Sequence, residues 1–264
     1  MQVKNKVIWI TGASSGIGKS LAIYLSQQNT KLILSSRNIT QLNAVKSLCS
    51  NSKEVSVLPL DLENYNNLEE KVSEALSFFG TIDILVNNGG ISQRSLAENT
   101  SIDVDKRIMD INYLGTVALT KAILPYFIEK KSGQLVVTTS IVGKIGTPLR
   151  SSYAASKHAL HGFFDSLRAE VAKYNIIITL ICPGFVTTNI SINALTGDGS
   201  PQNKMDLATD SGIHPDRFAK LMTNAIITNK EEAYIAGAKE KFGVYVKRYF
   251  PRLFSYLIKK MSVT

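Results

Sequence analysis

The sequence is poor in cysteine and histidine, and it has no long apolar run. Two cysteines occur among 264 residues, Cys49 and Cys182, and neither has partners at zinc-ligand spacing. We therefore expect no disulfide, no metal site and a reducing compartment. No apolar run is long enough to cross a bilayer, and "VIWI" before Gly12 is too short for the core of a signal peptide. A cytoplasmic protein is predicted, either free or peripheral on a membrane.

The three histidines form no recognisable ligand set. His158 and His161 lie in one predicted helix, and His214 precedes a proline at a predicted helix start. Structural roles are expected for all three.

Acidic residues are also scarce relative to basic ones, which leaves a net charge of +9. The excess is concentrated in residues 237–264, where seven Lys and Arg residues stand against Glu240 alone. Such a tail is either a solvated face or a surface for an anionic partner. No second basic stripe accompanies it, so nucleic-acid binding is not predicted.

Continuous apolar runs alternate with helical patterns along the chain. This order predicts an α/β fold, with a doubly wound parallel sheet of seven strands and helices on both faces. The predicted strands are residues 6–11, 31–36, 54–60, 82–87, 133–140, 175–182 and 231–237.

The length fits one large domain, predicted over residues 1–238, followed by a basic amphipathic extension over 239–264. Residues 188–213 are rich in Gly, Asn, Ser and Asp and show no clear period. A segment of that length is predicted to be either a lid or disordered.

A glycine turn follows the first strand and opens the first helix. Gly12, Gly16 and Gly18 lie in "TGASSGIGKS". Glycines let the backbone approach a pyrophosphate, while the helix start offers free N–H groups and a positive dipole end. A dinucleotide is the predicted ligand; the alternative is a glycine-rich turn without a ligand.

The spacing Gly-x-x-x-Gly-x-Gly resembles that of the short-chain dehydrogenase/reductase family, and the resemblance extends over nearly the whole chain. It implies a Rossmann-type fold and a nicotinamide cofactor. "NNGG" at residues 87–90 departs from the family's commoner Asn-Asn-Ala-Gly. The cofactor contacts that the resemblance implies are Gly12, Ser14, Ser15, Gly16, Ile17, Gly18, Arg37, Asp61, Leu62, Asn88, Tyr153, Lys157, Pro183, Gly184, Val186 and Thr187.

The end of the second strand predicts which nicotinamide cofactor is used. Ser36 stands where NAD-dependent members of the family carry Asp, and Arg37 follows it. A guanidinium group there can bind a 2′-phosphate. NADP(H) is therefore predicted; the alternative is that Arg37 is a solvated surface charge.

Tyr153 and Lys157 are four residues apart in a predicted helix and therefore share a face. A phenol has a pKa near 10, and a neighbouring ammonium group favours the phenolate. We expect Tyr153 to donate a proton to a carbonyl oxygen, or to accept one from an alcohol. The alternative is an ordinary amphipathic helix.

Two further side chains complete the predicted catalytic set. Ser140 closes the fifth strand, where its hydroxyl can bind the substrate oxygen. Asn112 matches the family's fourth catalytic position, which implies a role in holding a water in a proton relay with Lys157. The resemblance also implies that "CPGFVTT" turns beneath the nicotinamide and that Thr187 binds its carboxamide.

The sequence indicates the substrate only coarsely. Candidate pocket segments are residues 92–96, 141–149 and 188–213 together with Phe185, and they show no dedicated anion clamp. An apolar or lipid-like carbonyl or secondary alcohol is expected.

The nearest resemblance within the family is to the hydroxysteroid dehydrogenase-like members, judged by "YAASKHALHGFFDSLRAE" and the basic C-terminus. The alternatives are a 3-oxoacyl-acyl-carrier-protein reductase and a non-catalytic NADP(H)-binding sensor. The resemblance implies a homodimer or a homotetramer.

In the extension, apolar residues recur with basic residues between them. The pattern predicts an amphipathic helix that either lies on an anionic membrane or packs on protein. Pro251 interrupts it, and its apolar positions are Phe242, Val246, Tyr249, Leu253, Leu257 and Met261.

Overall fold

The seven apolar runs form one parallel sheet in the order β3-β2-β1-β4-β5-β6-β7. The structure is a computed structural model and describes residues 3–260; Met261, the last predicted apolar position of the extension, lies outside them. The fold class predicted from the sequence is confirmed. The strands are β1 Val7–Thr11, β2 Lys31–Ser35, β3 Val55–Val57, β4 Ile84–Asn87, β5 Gly133–Thr138, β6 Ile176–Pro183 and β7 Glu232–Ile235.

Both faces of the sheet are buried, because alternate residues of each strand point to opposite sides. In β1, Ile8 and Ile10 join one hydrophobic cluster, whereas Val7 and Trp9 join the other. The strand β3 is shorter than the predicted 54–60, ending just before Leu58 and Pro59. Proline has no N–H to donate to a sheet ladder, which favours an early end.

Helices cover both faces. The first cluster packs α1, α2 and α8 on the sheet, and the second packs α3, α5 and α6. The helices are α1 Gly16–Ser26, α2 Ile39–Leu48, α3 Leu68–Phe79, α4 Ile102–Met109, α5 Gly115–Lys130, α6 Ser151–Val171, α7 Leu207–Asp210, α8 Pro215–Ile227, α9 Ala238–Tyr249 and α10 Pro251–Ile258.

A π-helical turn, Asp110–Leu114, joins α4 to α5. By length and composition alone, the combined stretch Ile102–Lys130 could cross a membrane. The sequence had predicted that no segment is long and apolar enough to do so. Half of its most apolar window is buried inside the domain. The helix also approaches the sheet closely, since a Cβ on Gly115 would lie 2.1 Å from the carbonyl oxygen of Leu62. This stretch is therefore a core helix of the domain in the structure.

Residues 188–213 form a covering segment with one short helix, α7. The segment is held by backbone hydrogen bonds on both sides: Leu195 N–H donates to Ser92 O at 2.9 Å, and Ser101 N–H donates to Gly197 O at 2.9 Å. It closes one side of the space beyond the sheet's carboxyl edge.

The C-terminal extension is two helices rather than one, because the chain bends at Phe250 before Pro251. Val246 and Phe254 are buried against Ile141 and Ile145. The first turn of α9 also belongs to the domain, since Glu240 accepts a hydrogen bond from Phe185 N–H at 2.7 Å. Packing on the protein is therefore found for part of the extension.

Candidate active site

A cavity of about 590 Å³ opens beyond the carboxyl ends of the strands. The turn after β1 and the ends of β2, β4, β5 and β6 line it. Ligands of doubly wound sheets bind at this edge.

Close backbone packing explains the glycine turn. Gly12 has φ of 63°, and a Cβ there would lie 2.8 Å from the Cα of Gly89. A Cβ on Gly18 would lie 2.3 Å from the carbonyl oxygen of Gly12. Side chains at these positions would push the turn open. The turn, together with the start of α1, therefore fits a pyrophosphate.

Asn88 holds the three central strand ends together. Its Nδ2 donates to Thr11 O at 3.2 Å, and its Oδ1 accepts from the hydroxyl of Thr138 at 3.2 Å. The hydroxyl of Thr11 accepts from the N–H groups of Asn88 and Gly89, each at 3.0 Å. The predicted residue Asn88 thus fixes the shape of the cleft floor.

The end of β2 supplies the far wall of the cavity. Ser36 and Arg37 both line it. Asn38 and Gln41 line it as well and were not predicted from the sequence. Arg37 is exposed, and the only carboxylate side chain in the lining is Asp61 at the end of β3. This end of the cleft suits a phosphate group.

Tyr153 and Lys157 lie on α6 and both face the cavity. The ammonium nitrogen of Lys157 is 5.8 Å from the centre of the Tyr153 ring and donates to Thr138 O at 2.8 Å. Burial lowers the pKa of Lys157 to about 8, because the charged form loses its hydration.

The pKa of Tyr153 lies above its ordinary value, because burial outweighs the opposing groups. Those groups are a hydrogen bond from Ser140 and the charges of Arg94 and Arg150. In the structure, burial therefore exceeds the contributions that lower this pKa, and the predicted influence of the Lys157 ammonium group on Tyr153 stays a prediction.

Ser140 lies just beyond the carboxyl end of β5, next to α6. Its hydroxyl accepts from Val142 N–H at 3.1 Å and so caps a short 3₁₀ turn, Ile141–Gly143. That turn packs on α6, where a Cβ on Gly143 would lie 3.0 Å from the carbonyl oxygen of Lys157. The capped turn therefore fixes Ser140 beside Tyr153.

Asn112 is fully buried in the π-helical turn. It accepts from Ile91 N–H at 2.8 Å and donates to Ile91 O at 2.9 Å and to Ser156 Oγ at 3.0 Å. A Cβ on Gly90 would lie 3.0 Å from its Oδ1 and 3.6 Å from the Lys157 nitrogen. The side chain thus fixes the backbone next to Lys157.

The profile of the short chain dehydrogenase family matches residues 6–198. The chain belongs to this family. Among curated relatives, the Drosophila melanogaster "Dehydrogenase/reductase SDR family protein 7-like" is 39% identical, over 99% of this chain and 82% of that protein. The human "Dehydrogenase/reductase SDR family member 7" is 41% identical, over 99% of this chain and 79% of its own length.

Solved structures of the family share the fold. A short-chain dehydrogenase/reductase from Burkholderia phymatum in complex with NAD has a TM-score of 0.85 at 22% identity and covers 96% of both chains. One from Burkholderia cenocepacia in complex with NADP has a TM-score of 0.80 at 21% identity, over 98% of this chain and 99% of that one. At this identity the likeness concerns the fold alone.

In this short-chain dehydrogenase the cleft gathers most of the predicted site residues, but not Gly18, Asn112 or Thr187. Gly18 and Asn112 lie behind it and shape it. Thr187 turns away, since its hydroxyl donates to Asp210 O at 3.1 Å. The neighbouring Thr188 lines the cleft instead. The predicted residues that line the cavity are Gly12, Ser14, Ser15, Gly16, Ile17, Arg37, Asp61, Leu62, Asn88, Ser140, Tyr153, Lys157, Pro183, Gly184 and Val186.

The predicted substrate segments contribute unequally. The covering segment contributes Thr188, Asn189, Ile190, Asn193 and Leu195 to the cavity lining. Residues 92–96 and 141–149 and Phe185 do not line it and instead support it from behind.

Behind Ser140, the short-chain dehydrogenase brings together His161, Cys182 and Glu232, whose ligand atoms lie within 4.8 Å of one another. No such group was predicted from the sequence, because the three residues lie far apart along the chain. Lys144 Nζ lies 2.7 Å from the Glu232 carboxylate, so a cationic group already faces this cluster. Burial lowers the pKa of His161 to about 4 and raises that of Cys182 to about 12. A neutral His161 and a protonated Cys182 thiol are consistent with structural packing around the Lys144–Glu232 ion pair.

Proposed function

We propose that this short-chain dehydrogenase is an NADP(H)-dependent oxidoreductase that interconverts a carbonyl compound and a secondary alcohol. The observation that carries the proposal is that Ser140, Tyr153 and Lys157 open on the same cavity as the glycine turn. Hydride transfer is the chemistry that a bound nicotinamide supplies.

The protein's own residues would handle the proton and the substrate oxygen. Tyr153 would donate its phenolic proton to the carbonyl oxygen during reduction and accept it back during oxidation. The hydroxyl of Ser140 would bind the same oxygen and stabilise developing negative charge. Lys157, held by Thr138 O, would favour the phenolate by its positive charge.

NADP(H) rather than NAD(H) is supported by the end of β2. Ser36 offers a hydroxyl where a carboxylate would repel the 2′-phosphate, and the exposed Arg37 can reach it. Asn38 and Gln41 add neutral hydrogen-bonding groups to the same wall.

An apolar or lipid-like substrate is supported by the side of the cavity that faces the covering segment. Ile111, Ile190 and Leu195 line this side, and Asn193 adds one amide. Described residues provide no lysine or arginine there besides Lys157 and Arg107, and the latter pairs with Glu63 at 3.3 Å. Apolar walls with few polar groups favour binding of an apolar substrate.

The test is oxidation of NADPH and NADH by the purified protein against steroid, retinoid, aromatic and acyl-thioester carbonyls. We expect turnover of an apolar ketone or aldehyde with NADPH, and loss of turnover with retained NADPH binding in Tyr153→Phe. Preferred turnover of acyl thioesters would favour the acyl-carrier-protein reductase. NADPH binding with no turnover in the whole panel would favour a sensor.

We further propose that the extension contacts an anionic membrane surface. Large apolar side chains of α9 and α10 face solvent, and exposed basic residues flank them. A second copy would bring like charges together, whereas anionic lipid headgroups complement them. The exposed apolar residues are Phe242, Tyr245, Tyr249, Phe250, Leu253, Tyr256 and Leu257.

Deletion from residue 239 would remove Glu240 and disturb the domain, so point variants test this contact better. We expect sedimentation with phosphatidylserine vesicles, weaker with Arg248→Glu/Arg252→Glu and unchanged with the matched surface variant Lys53→Glu/Lys220→Glu. Equal sedimentation of the two double variants would contradict the proposal.

Assembly as a homodimer or homotetramer stays a prediction. The apolar residues of α6 are largely used within the chain, since Leu160, Phe164 and Leu167 are buried in its own core. Half-buried Phe163 packs edge-on against Tyr113 at 6.4 Å and remains partly available. Sedimentation equilibrium would measure the assembly.

A further inference from the structure

Two arginines share one carboxylate beside the first turn of α6. Arg94 follows β4, Arg150 precedes α6 and Asp206 lies in the covering segment. Their side chains are only 5%, 4% and 3% exposed. The Arg94 Nε and Nη2 atoms lie 2.7 and 2.5 Å from Asp206 Oδ2, and Arg150 Nη2 lies 3.5 Å from the same oxygen.

The cluster adjoins Tyr153 by two routes. Arg150 immediately precedes α6, three residues before Tyr153, and the two side chains are close enough for the Arg150 charge to act on the Tyr153 phenol. Arg94 donates to the carbonyl oxygen of Gln93 at 2.6 Å, and Gln93 Oε1 accepts from the N–H of Tyr153 at 3.4 Å. The backbone of Tyr153 is thus tied to the segment that carries Arg94.

We propose that Arg94 and Arg150 are positioning residues whose positive charges favour the deprotonated form of Tyr153, with Asp206 setting how strongly they act. The proposal rests on the proposed function of Tyr153 as proton donor and acceptor. Charges in a buried setting interact more strongly than in water, because the local dielectric is low.

The other charged groups around Tyr153 have different partners. Lys157 donates to Thr138 O, and Lys144 pairs with Glu232. On α4, Asp105 accepts a hydrogen bond from the hydroxyl of Ser152. Both arginine charges lower the pKa of Tyr153, against the larger effect of its burial. Burial and the nearby Arg94 lower the pKa of Arg150 to about 10, so it stays charged at neutral pH.

The cluster predicts shifts of opposite sign from two single substitutions. Arg150→Met removes one positive charge and is expected to raise the pKa of Tyr153 by about one unit. Asp206→Asn removes the negative charge and is expected to lower it by a similar amount. The double variant keeps the summed charge of the three positions at its original value, so its pKa is expected near that of the unchanged protein, as is that of Arg150→Lys.

The pKa of Tyr153 is measured as the difference in tyrosinate absorbance between each protein and its own Tyr153→Phe partner as pH rises. This titration needs neither substrate nor cofactor, so it can fail or succeed independently of the proposed function. Thermal melts identify variants that do not fold; if Asp206→Asn is one of them, Arg150→Met against Arg150→Lys decides. Equal midpoints in all folded variants, or shifts of one sign in both single variants, would overturn the proposal.

With an alcohol that the protein oxidises, the dependence of the oxidation rate on pH gives a second readout. The part of the pH profile in which the rate rises as Tyr153 loses its proton is expected to move to higher pH in Arg150→Met and to lower pH in Asp206→Asn. A loss of rate without movement of that part of the profile would indicate a purely structural role and would also overturn the proposal.

Discussion

Replacing Arg37 by Gln separates the two nicotinamide cofactors. Arg37 is exposed at the end of β2 and lines the cavity. A charge-assisted hydrogen bond contributes about 1.5 to 3 kcal/mol, which corresponds to roughly tenfold to hundredfold in Kd. NADPH carries the 2′-phosphate and NADH does not, so only NADPH binding is expected to weaken. The effect is expected near the lower end in high salt, where exposed charges are screened.

The fluorescence of the protein's tryptophan can be used to measure cofactor binding. Its one tryptophan, Trp9, is buried in β1, two residues before the cleft-lining Thr11. Quenching of its fluorescence by reduced cofactor gives Kd for NADPH and NADH without any substrate. The matched control is Lys53→Gln, an exposed basic residue outside the cavity, for which both Kd values should stay unchanged. Equal weakening of NADPH and NADH in Arg37→Gln would refute the assignment of Arg37 to the 2′-phosphate.

Three further substitutions test the glycine turn and the stability of the fold. Gly18→Ala is expected to abolish binding of both cofactors in the same quenching assay, because its Cβ would lie 2.3 Å from Gly12 O. Phe127→Ala, at a fully buried core position, is expected to lower the free energy of unfolding by about 3 to 5 kcal/mol in urea titrations. Asp83→Asn is expected to destabilise the protein at neutral pH and progressively less as pH falls through the folded-state pKa of Asp83. Burial opposes ionisation of Asp83, but Val7 N–H, Lys130 and Lys6 outweigh it and hold that pKa below its ordinary value, so the stabilisation is present above the unfolded pKa.

The parallel sheet was predictable because each strand can be recognised from the apolar residues of its own segment. Runs such as "VIWI" are buried on both faces and need no distant partner to be recognised as strands. The bounds were less predictable, as Ser140 shows: it continues an apolar run in the sequence but caps a 3₁₀ turn in the structure. Hydroxyl groups compete with strand hydrogen bonding in this way.

The cofactor side of the site followed from the sequence because topology brings the strand ends to one edge. Gly12, Asn88 and Ser140 each lie one or two residues beyond the end of a strand and therefore meet. The orientation of a single side chain was not predictable: Thr187 and Thr188 are adjacent and chemically identical, and only Thr188 lines the cleft. The sheet ends before them, at Pro183, so no strand alternation fixes which threonine points inward.

The side of the cavity proposed for the substrate depends on contacts between segments that are distant in sequence, which is why it could not be predicted. Arg94 and Asp206 are separated by 112 positions, yet their ion pair joins the covering segment to the segment after β4, and Arg150 links the same carboxylate to the start of α6. Neither residue belongs to a motif, and each alone indicates only a surface charge. Their burial gives them influence on both the shape of the cavity and the charge around Tyr153. A change in the covering segment is therefore expected to alter substrate selection and proton transfer together, whereas a change at the end of β2 should alter cofactor choice alone.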